Sequence, residues 1–96
     1  MPRVLHLTDR YRWTFTRRGP AGGSASAKKL GAVLRALADE PLPSLQDFEV
    51  LFPPVARYWC RRVPDANLWV VFAFSDEKVT VVSLQNTPPV PIDPND

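Results

Sequence analysis

Residues 68–84 read LWVVFAFSDEKVTVVSL, two β-branched and aromatic runs around the polar insert SDEK. The first run, LWVVFAF (68–74), is apolar at odd and even positions alike. A strand built from it carries apolar side chains on both faces, so it must lie in the middle of a sheet and be covered on both sides. After the turn, VTVVSL (79–84) returns beside it as a second strand. Upstream, RYWCRRV (57–63) reads as a third, joined through VPDANL, where Pro64, Asp65 and Asn67 stand at turn-favoured positions. The carboxy-terminal half is therefore expected to be a three-stranded meander.

Such a sheet needs an amphipathic partner. Ala27, Leu30, Val33, Leu34 and Leu37 recur at steps of three and four, with Ser24 or Ser26 in place to cap and Pro41 and Pro43 to stop. The spacing predicts a helix over 25–39. GPAGGS (19–24) precedes it as a loop. Between 41 and 56, Ser44 and Asp47 are suited to opening a short helical turn, and DFEVLF reads equally as a strand ended by Pro53-Pro54. Leu45, Phe48, Leu51 and Phe52 are expected to lie over the core. The tail QNTPPVPIDPND (85–96) is too rich in proline to extend a sheet, and is expected to run along the surface.

The amino-terminal segment admits two readings. From Leu5 to Thr16, Leu5, Leu7, Tyr11, Trp13 and Phe15 fall on one side of a period of two, broken by Asp9. His6, Thr8, Arg10, Arg12, Thr14 and Thr16 fall on the other. That alternation favours a strand, which sends the rings to the core and leaves only the arginines to meet a partner. The competing reading is a strand at 4–7 followed by a helix capped by Thr8 or Asp9, with Tyr11 and Phe15 one turn apart. The 96 residues have room for one domain. The expected fold is α+β: a small twisted, mainly antiparallel sheet, the N-terminal strand plus the meander, packed against one or two helices.

Charge is unevenly spread. Arg3, Arg10, Arg12, Arg17, Arg18, Lys28, Lys29 and Arg35 meet one acid, Asp9, within the first 37 residues, while acids outnumber bases in the rest. A molecule that keeps those halves apart is dipolar. One cysteine, Cys60, and one histidine, His6, leave no internal disulfide and no His/Cys metal cluster to build, and a lone thiol fits a reducing compartment. No metal site and no cofactor is expected. The opening MPRVLHL has no long apolar stretch, and no run approaches the roughly 18 apolar residues of a membrane span. A cytoplasmic protein is expected.

No GxSxG, Walker loop or HExxH is present. Two basic-aromatic stretches remain: RYRWTFTRR (10–18) and RYWCRR (57–62). Guanidinium forks match phosphate oxygens, and Arg61 and Arg62, being adjacent, point to opposite faces of a strand. In a metal-independent ribonuclease, Arg57, Arg61 and Arg62 would hold phosphate and Tyr58 would orient or stack on a base. His6, Tyr11 and Tyr58 are the groups left to move a proton. Arg10, Arg12, Arg17, Arg18 and Arg57 are the candidates for binding RNA or an acidic partner.

The order of elements resembles the RelE/ParE-like toxins of bacterial type II toxin–antitoxin systems. KKLGAVLRALADEP (28–41) is similar to the family's second helix and closing proline, and residues 57–84 to the sheet that follows. The resemblance places a helix, not a strand, over TDRYRWTFTRRG (8–19), and covers 1–96 as one domain with a proline-rich tail from about 85. It implies a small toxin neutralised by a cognate antitoxin, either cutting ribosome-bound mRNA without a metal or inhibiting DNA gyrase. From the family's catalytic positions it carries over Arg61 or Arg62 alone; the middle strand has Trp69 where the family often has an arginine. A different class of answer is a non-enzymatic inhibitor or binding module using a basic face or a sheet edge.

Overall fold

The computed structural model describes residues 2–52 and 56–89. Along the chain run β1 (Val4–Leu7), α1 (Asp9–Arg18), α2 (Ala25–Asp39), β2 (Phe48–Phe52), β3 (Ala56–Arg62), β4 (Trp69–Phe74) and β5 (Lys78–Gln85). The sheet order is β1-β5-β4-β3-β2, with β1 parallel to β5 and the other neighbours antiparallel. The expected α+β architecture holds, and β4, the run apolar on both faces, is the central strand. Val70 and Phe72 enter the helix-covered core, while Trp69 and Val71 enter a smaller cluster on the opposite face. The proline-rich tail, from residue 90 on, lies outside the described residues.

α2 spans the predicted 25–39. The Ser24 hydroxyl accepts the Ala27 N–H at 3.1 Å, and Gly23, at φ 78°, turns the chain into that cap. Leu30, Val33 and Leu37 are buried against the sheet, each worth roughly 1.5–3 kcal/mol of transfer free energy. Of the two readings open for this stretch the strand holds: the chain turns through Ser44–Asp47 and enters β2 at Phe48. The Asp47 N–H donates to the Ser44 carbonyl at 3.1 Å, and the Asp47 carboxylate accepts the Ser44 N–H at 2.8 Å. Leu45 and Leu51 are exposed, so they do not cover the core; Phe48 packs on the smaller cluster.

The strand favoured over 5–16 is overturned beyond Leu7. Thr8 caps α1, its hydroxyl accepting the Tyr11 N–H at 3.1 Å. The reason the alternation misled lies in what α1 packs against. β1 pairs with β5 only as far as Val81, and a bulge opposite Val71 and Phe72 leaves Val82 unopposed. The far half of β5 is therefore an edge with unpaired amides. α1 satisfies them with side chains. The Thr8 hydroxyl donates to the Val81 carbonyl at 2.9 Å and the Val82 carbonyl at 3.3 Å. The Thr14 hydroxyl accepts the Leu84 N–H at 2.9 Å and donates to the Tyr11 carbonyl at 2.8 Å. Arg18 donates to the Leu84 carbonyl at 3.3 Å and to Gln85 Oε1 at 3.0 Å.

Of the three rings expected in the core, only Tyr11 is there; Trp13 and Phe15 are 53% and 42% exposed. The helix stops at Gly19, whose N–H donates to the Phe15 carbonyl at 2.8 Å. A Cβ at that position would lie 2.4 Å from the same carbonyl oxygen, so no larger residue fits without moving the cap. Thr14→Val, which keeps shape but leaves the buried Leu84 N–H without an acceptor, is expected to cost about 1–3 kcal/mol in urea unfolding. Thr16→Val, on the exposed side, should change stability by less than about 0.5 kcal/mol.

Candidate functional site

The sequence puts three candidate catalytic groups on β3, and the pleat divides them. Tyr58 and Arg62 lie on the face away from the helices, with Cys60 between them and Phe48, Val50, Trp69, Val71 and Val82 around. Arg61 points the other way, beneath the C-terminal end of α2. Arg57 shares Arg61's side of the strand, two pleats away, and pairs with Glu49 at 3.4 Å. Arg57 is largely in water and Glu49 partly so, and at 3.4 Å such a pair is worth little.

Arg61 is 2% exposed and fully engaged. Its Nε and Nη2 donate to the two carboxylate oxygens of Asp47 at 2.6 and 2.9 Å, a bidentate pair between two buried side chains. Nη2 also donates to the Ser44 hydroxyl at 2.9 Å, and Nη1 lies 3.7 Å from Glu40. The Asp47 hydrogen bonds, and behind them its charge and that of Glu40, raise the guanidinium pKa above its usual value in spite of burial. Arg61 is thus the clamp that fixes the 44–47 turn against β3, and its fork is closed to a phosphate. Sequence reasoning missed Asp47 as its partner. The two lie 14 positions apart and face each other only because Phe48 pairs with Cys60, one register step further into the hairpin.

On the opposite face, Arg62 donates to the Ala66 carbonyl at 3.2 Å and sits 5.5 Å from the Trp69 ring centre. It braces the β3–β4 turn, where Asp65 takes the left-handed φ of 57°. Tyr58 and Arg62 are four residues apart on one strand, which at ~3.3 Å per residue separates them by roughly 13 Å. Neither remaining proton carrier stands beside them: His6 is on β1 opposite Thr80, and Tyr11 is buried under α1, its pKa pushed up by desolvation. β3 thus carries Arg61 on the helix-covered face, held by Asp47, and Tyr58 and Arg62 on the other.

The candidate binding arginines fare differently. Arg18 is spent on β5. Arg10, Arg12 and Arg17 are exposed along α1, beside Trp13, and the Arg17 guanidinium stacks 4.3 Å from the Trp13 ring centre. On the α2 side of the same helix, Leu7, Tyr11, Phe15 and Leu34, with Arg12 and Thr16, line a groove of about 340 Å³. Exposed basic and aromatic groups thus lie together on α1, where the sequence expected the rings to be buried. Among the described residues, no group of three or more His, Cys, Asp or Glu could hold a metal ion, and no helix is long and apolar enough to cross a membrane.

Two measurements test the buried chemistry. Arg61→Met strands the Asp47 carboxylate in the interior and is expected to cost about 3–5 kcal/mol, much of it recovered by adding Asp47→Leu. Burial, reinforced by the Asp47 charge, pushes the Cys60 thiol from 9.0 to about 12. Above pH 9 the unfolded chain sheds that proton while the folded chain keeps it, so this thiol makes stability fall as pH rises from about 9 towards about 12. At pH 8 a thiol reagent should label Cys60 only upon unfolding.

No protein-family model matches the chain, and no curated protein matches it in sequence. In three dimensions it is similar to a toxin from Helicobacter pylori whose crystal structure is of a copper-bound mutant. The match has a TM-score of 0.58 and 20% identity over 88% of this chain and 92% of that one. What the two share at that identity is the fold.

Proposed function

We propose that this chain is the toxin of a bacterial type II toxin–antitoxin pair, of the RelE/ParE-like kind, and that it acts by occupying a macromolecular target rather than by cutting it. The fold likeness to the Helicobacter pylori toxin supports the toxin half of this reading. The observation that carries the other half is the engagement of Arg61 by Asp47, Ser44 and Glu40, which removes the one buried cation a ribonuclease on β3 would use. Binding to a target asks less of geometry than hydrolysis does. It needs a complementary surface, and no group poised to take a proton.

That surface is the basic amino-terminal half, with α1 outermost. A cognate antitoxin, the partner this reading requires, would neutralise the protein by covering the same helix. The setting is the cytoplasm, where both the translating ribosome and DNA gyrase are within reach.

Induced expression in a bacterium is expected to arrest growth, with arrest relieved by co-expression of the small reading frame adjacent to the gene. Tyr58→Phe and Arg62→Ala should arrest as wild type does, without ribosome-dependent mRNA cleavage. The pair Arg12→Glu and Arg17→Glu should restore growth while leaving the melting temperature within a few degrees. Cleaved mRNA that disappears with Tyr58→Phe would return the protein to the endoribonucleases. No arrest at all would place it among binding modules outside the toxin class.

A further inference from the structure

The inner stripe of α1 and its cap is occupied by Thr8, Thr14 and Arg18, committed to the β5 edge, and by Tyr11, buried in the core. Helical geometry turns Asp9, Arg12, Trp13, Thr16 and Arg17 away from that stripe, with Arg12 and Thr16 bordering the α2-side groove and Arg10 at the opposite border. An indole left 53% exposed on a helix that has a core to bury it in is unusual, because tryptophan is normally among the most buried side chains by area. Here it is also dressed. Arg17, one turn on, places its guanidinium over the ring at 4.3 Å from its centre, and the tryptophan still keeps 53% of its surface exposed.

We propose that this outer face of α1 is a binding site for single-stranded nucleic acid, in which a base stacks on Trp13 while Arg12 and Arg17 contact the flanking phosphates. The inference is independent of whether the protein is toxic. Three observations meet on it. Base stacking needs an accessible aromatic plane, and Trp13 offers one. Arginine, more than lysine, both stacks and forks onto phosphate, and every exposed cation of α1 is an arginine. The charge is mostly of one sign: within the first 37 residues Asp9, itself exposed in the first turn of α1, is the lone acid among eight bases, so the approach to this face is favourable to a polyanion at long range.

A duplex fits less well, since its bases are already stacked and closed to Trp13. An acidic helix would satisfy the arginines but has no use for a stacked indole plane. Nothing on α1 reads a 2′-hydroxyl or a particular base edge, so RNA and DNA strands should bind alike and sequence should matter little.

The test is fluorescence anisotropy of labelled 12-nucleotide oligouridylate and oligothymidylate with the purified protein, over a salt series. Both strands are expected to bind, with affinity falling as the logarithm of salt with a slope of about −1.4 for two phosphate contacts. Trp13→Ala should weaken binding by about tenfold, and Trp13→Phe should recover most of it, because a ring remains to stack. Arg12→Ala with Arg17→Ala should flatten the salt slope to near zero. Lys78→Ala, an exposed cation at the start of β5, should leave binding unchanged. These positions are on the surface, so circular dichroism should show unaltered folding.

Three results would each overturn the site: no binding at 25 mM salt, where phosphate contacts are strongest (about 20 Å screening length); equal affinity for Trp13→Ala and wild type; or complete competition by polyglutamate at equal charge. The last would leave an electrostatic patch that favours acidic protein. Growth arrest with any of these results would keep the toxin reading and discard the nucleic-acid one.

Discussion

A β-strand that loses its neighbour half-way along must place its remaining N–H and C=O groups somewhere. Left in a half-buried site without partners, each would cost on the order of 1–3 kcal/mol. β5 is in that position past Val81, and α1 supplies the missing partners with two threonine hydroxyls and a guanidinium. Much of the molecule follows from this seam. It fixes the rotation of α1 about its own axis, because Thr8, Thr14 and Arg18 must all face the strand. That rotation leaves Tyr11 as the one ring of the helix that reaches the core, and turns Trp13 and three arginines towards water.

The second constraint acts at the other end of the sheet. A buried arginine is tolerable only when its charge and its donors are met, and Arg61 is met by a carboxylate, a hydroxyl and a second carboxylate at longer range. The consequence is mechanical: the turn between α2 and β2 is held to β3, and the hairpin's register is enforced by a pair that tolerates no slip. It is also chemical, since a guanidinium held in this way gives nothing to a substrate. The two arginines that are neighbours in sequence are thus structural on both faces, Arg61 through Asp47 and Arg62 through the Ala66 carbonyl and the Trp69 ring.

Where the sequence was legible, hydrophobicity was the signal. β4 could be placed at the centre because it is apolar on both faces, and α2 could be bounded to the residue because its stripe faces an apolar sheet and its caps are ordinary. α1 was not legible by the same rule. Its stripe, Thr8, Tyr11, Thr14 and Arg18, has helical spacing but is mostly polar, because it packs on amides rather than on methyl groups. A search for apolar periodicity cannot find it, and the aromatics that alternate with it mimic a strand. The Arg61–Asp47 pair was hidden for another reason: it depends on hairpin register, which the proline pair between β2 and β3 does not declare. Of the arginines on β3, Arg61 is buried against Asp47 while Arg57 and Arg62 are exposed; of the rings on α1, Tyr11 is buried and Trp13 is the most exposed tryptophan in the chain.

Exposure of Trp13 and Phe15 therefore has to be weighed against what the fold itself requires. None of the side-chain hydrogen bonds of the α1–β5 seam involves Trp13, Phe15 touches it only through the Tyr11 ring, and Thr16, also exposed, shows that a polar residue is accepted on the outward side. Large exposed apolar surface invites non-specific association, so a helix with no task on that side would be expected to carry polar residues throughout. The arginines sharpen the point. Arg17 covers part of the indole and places a charge at its margin, which keeps the ring wet and in one orientation without a tertiary contact. Stability explains the inward half of α1 completely and the outward half not at all, and it is the outward half that brings together planar stacking surface and positive charge.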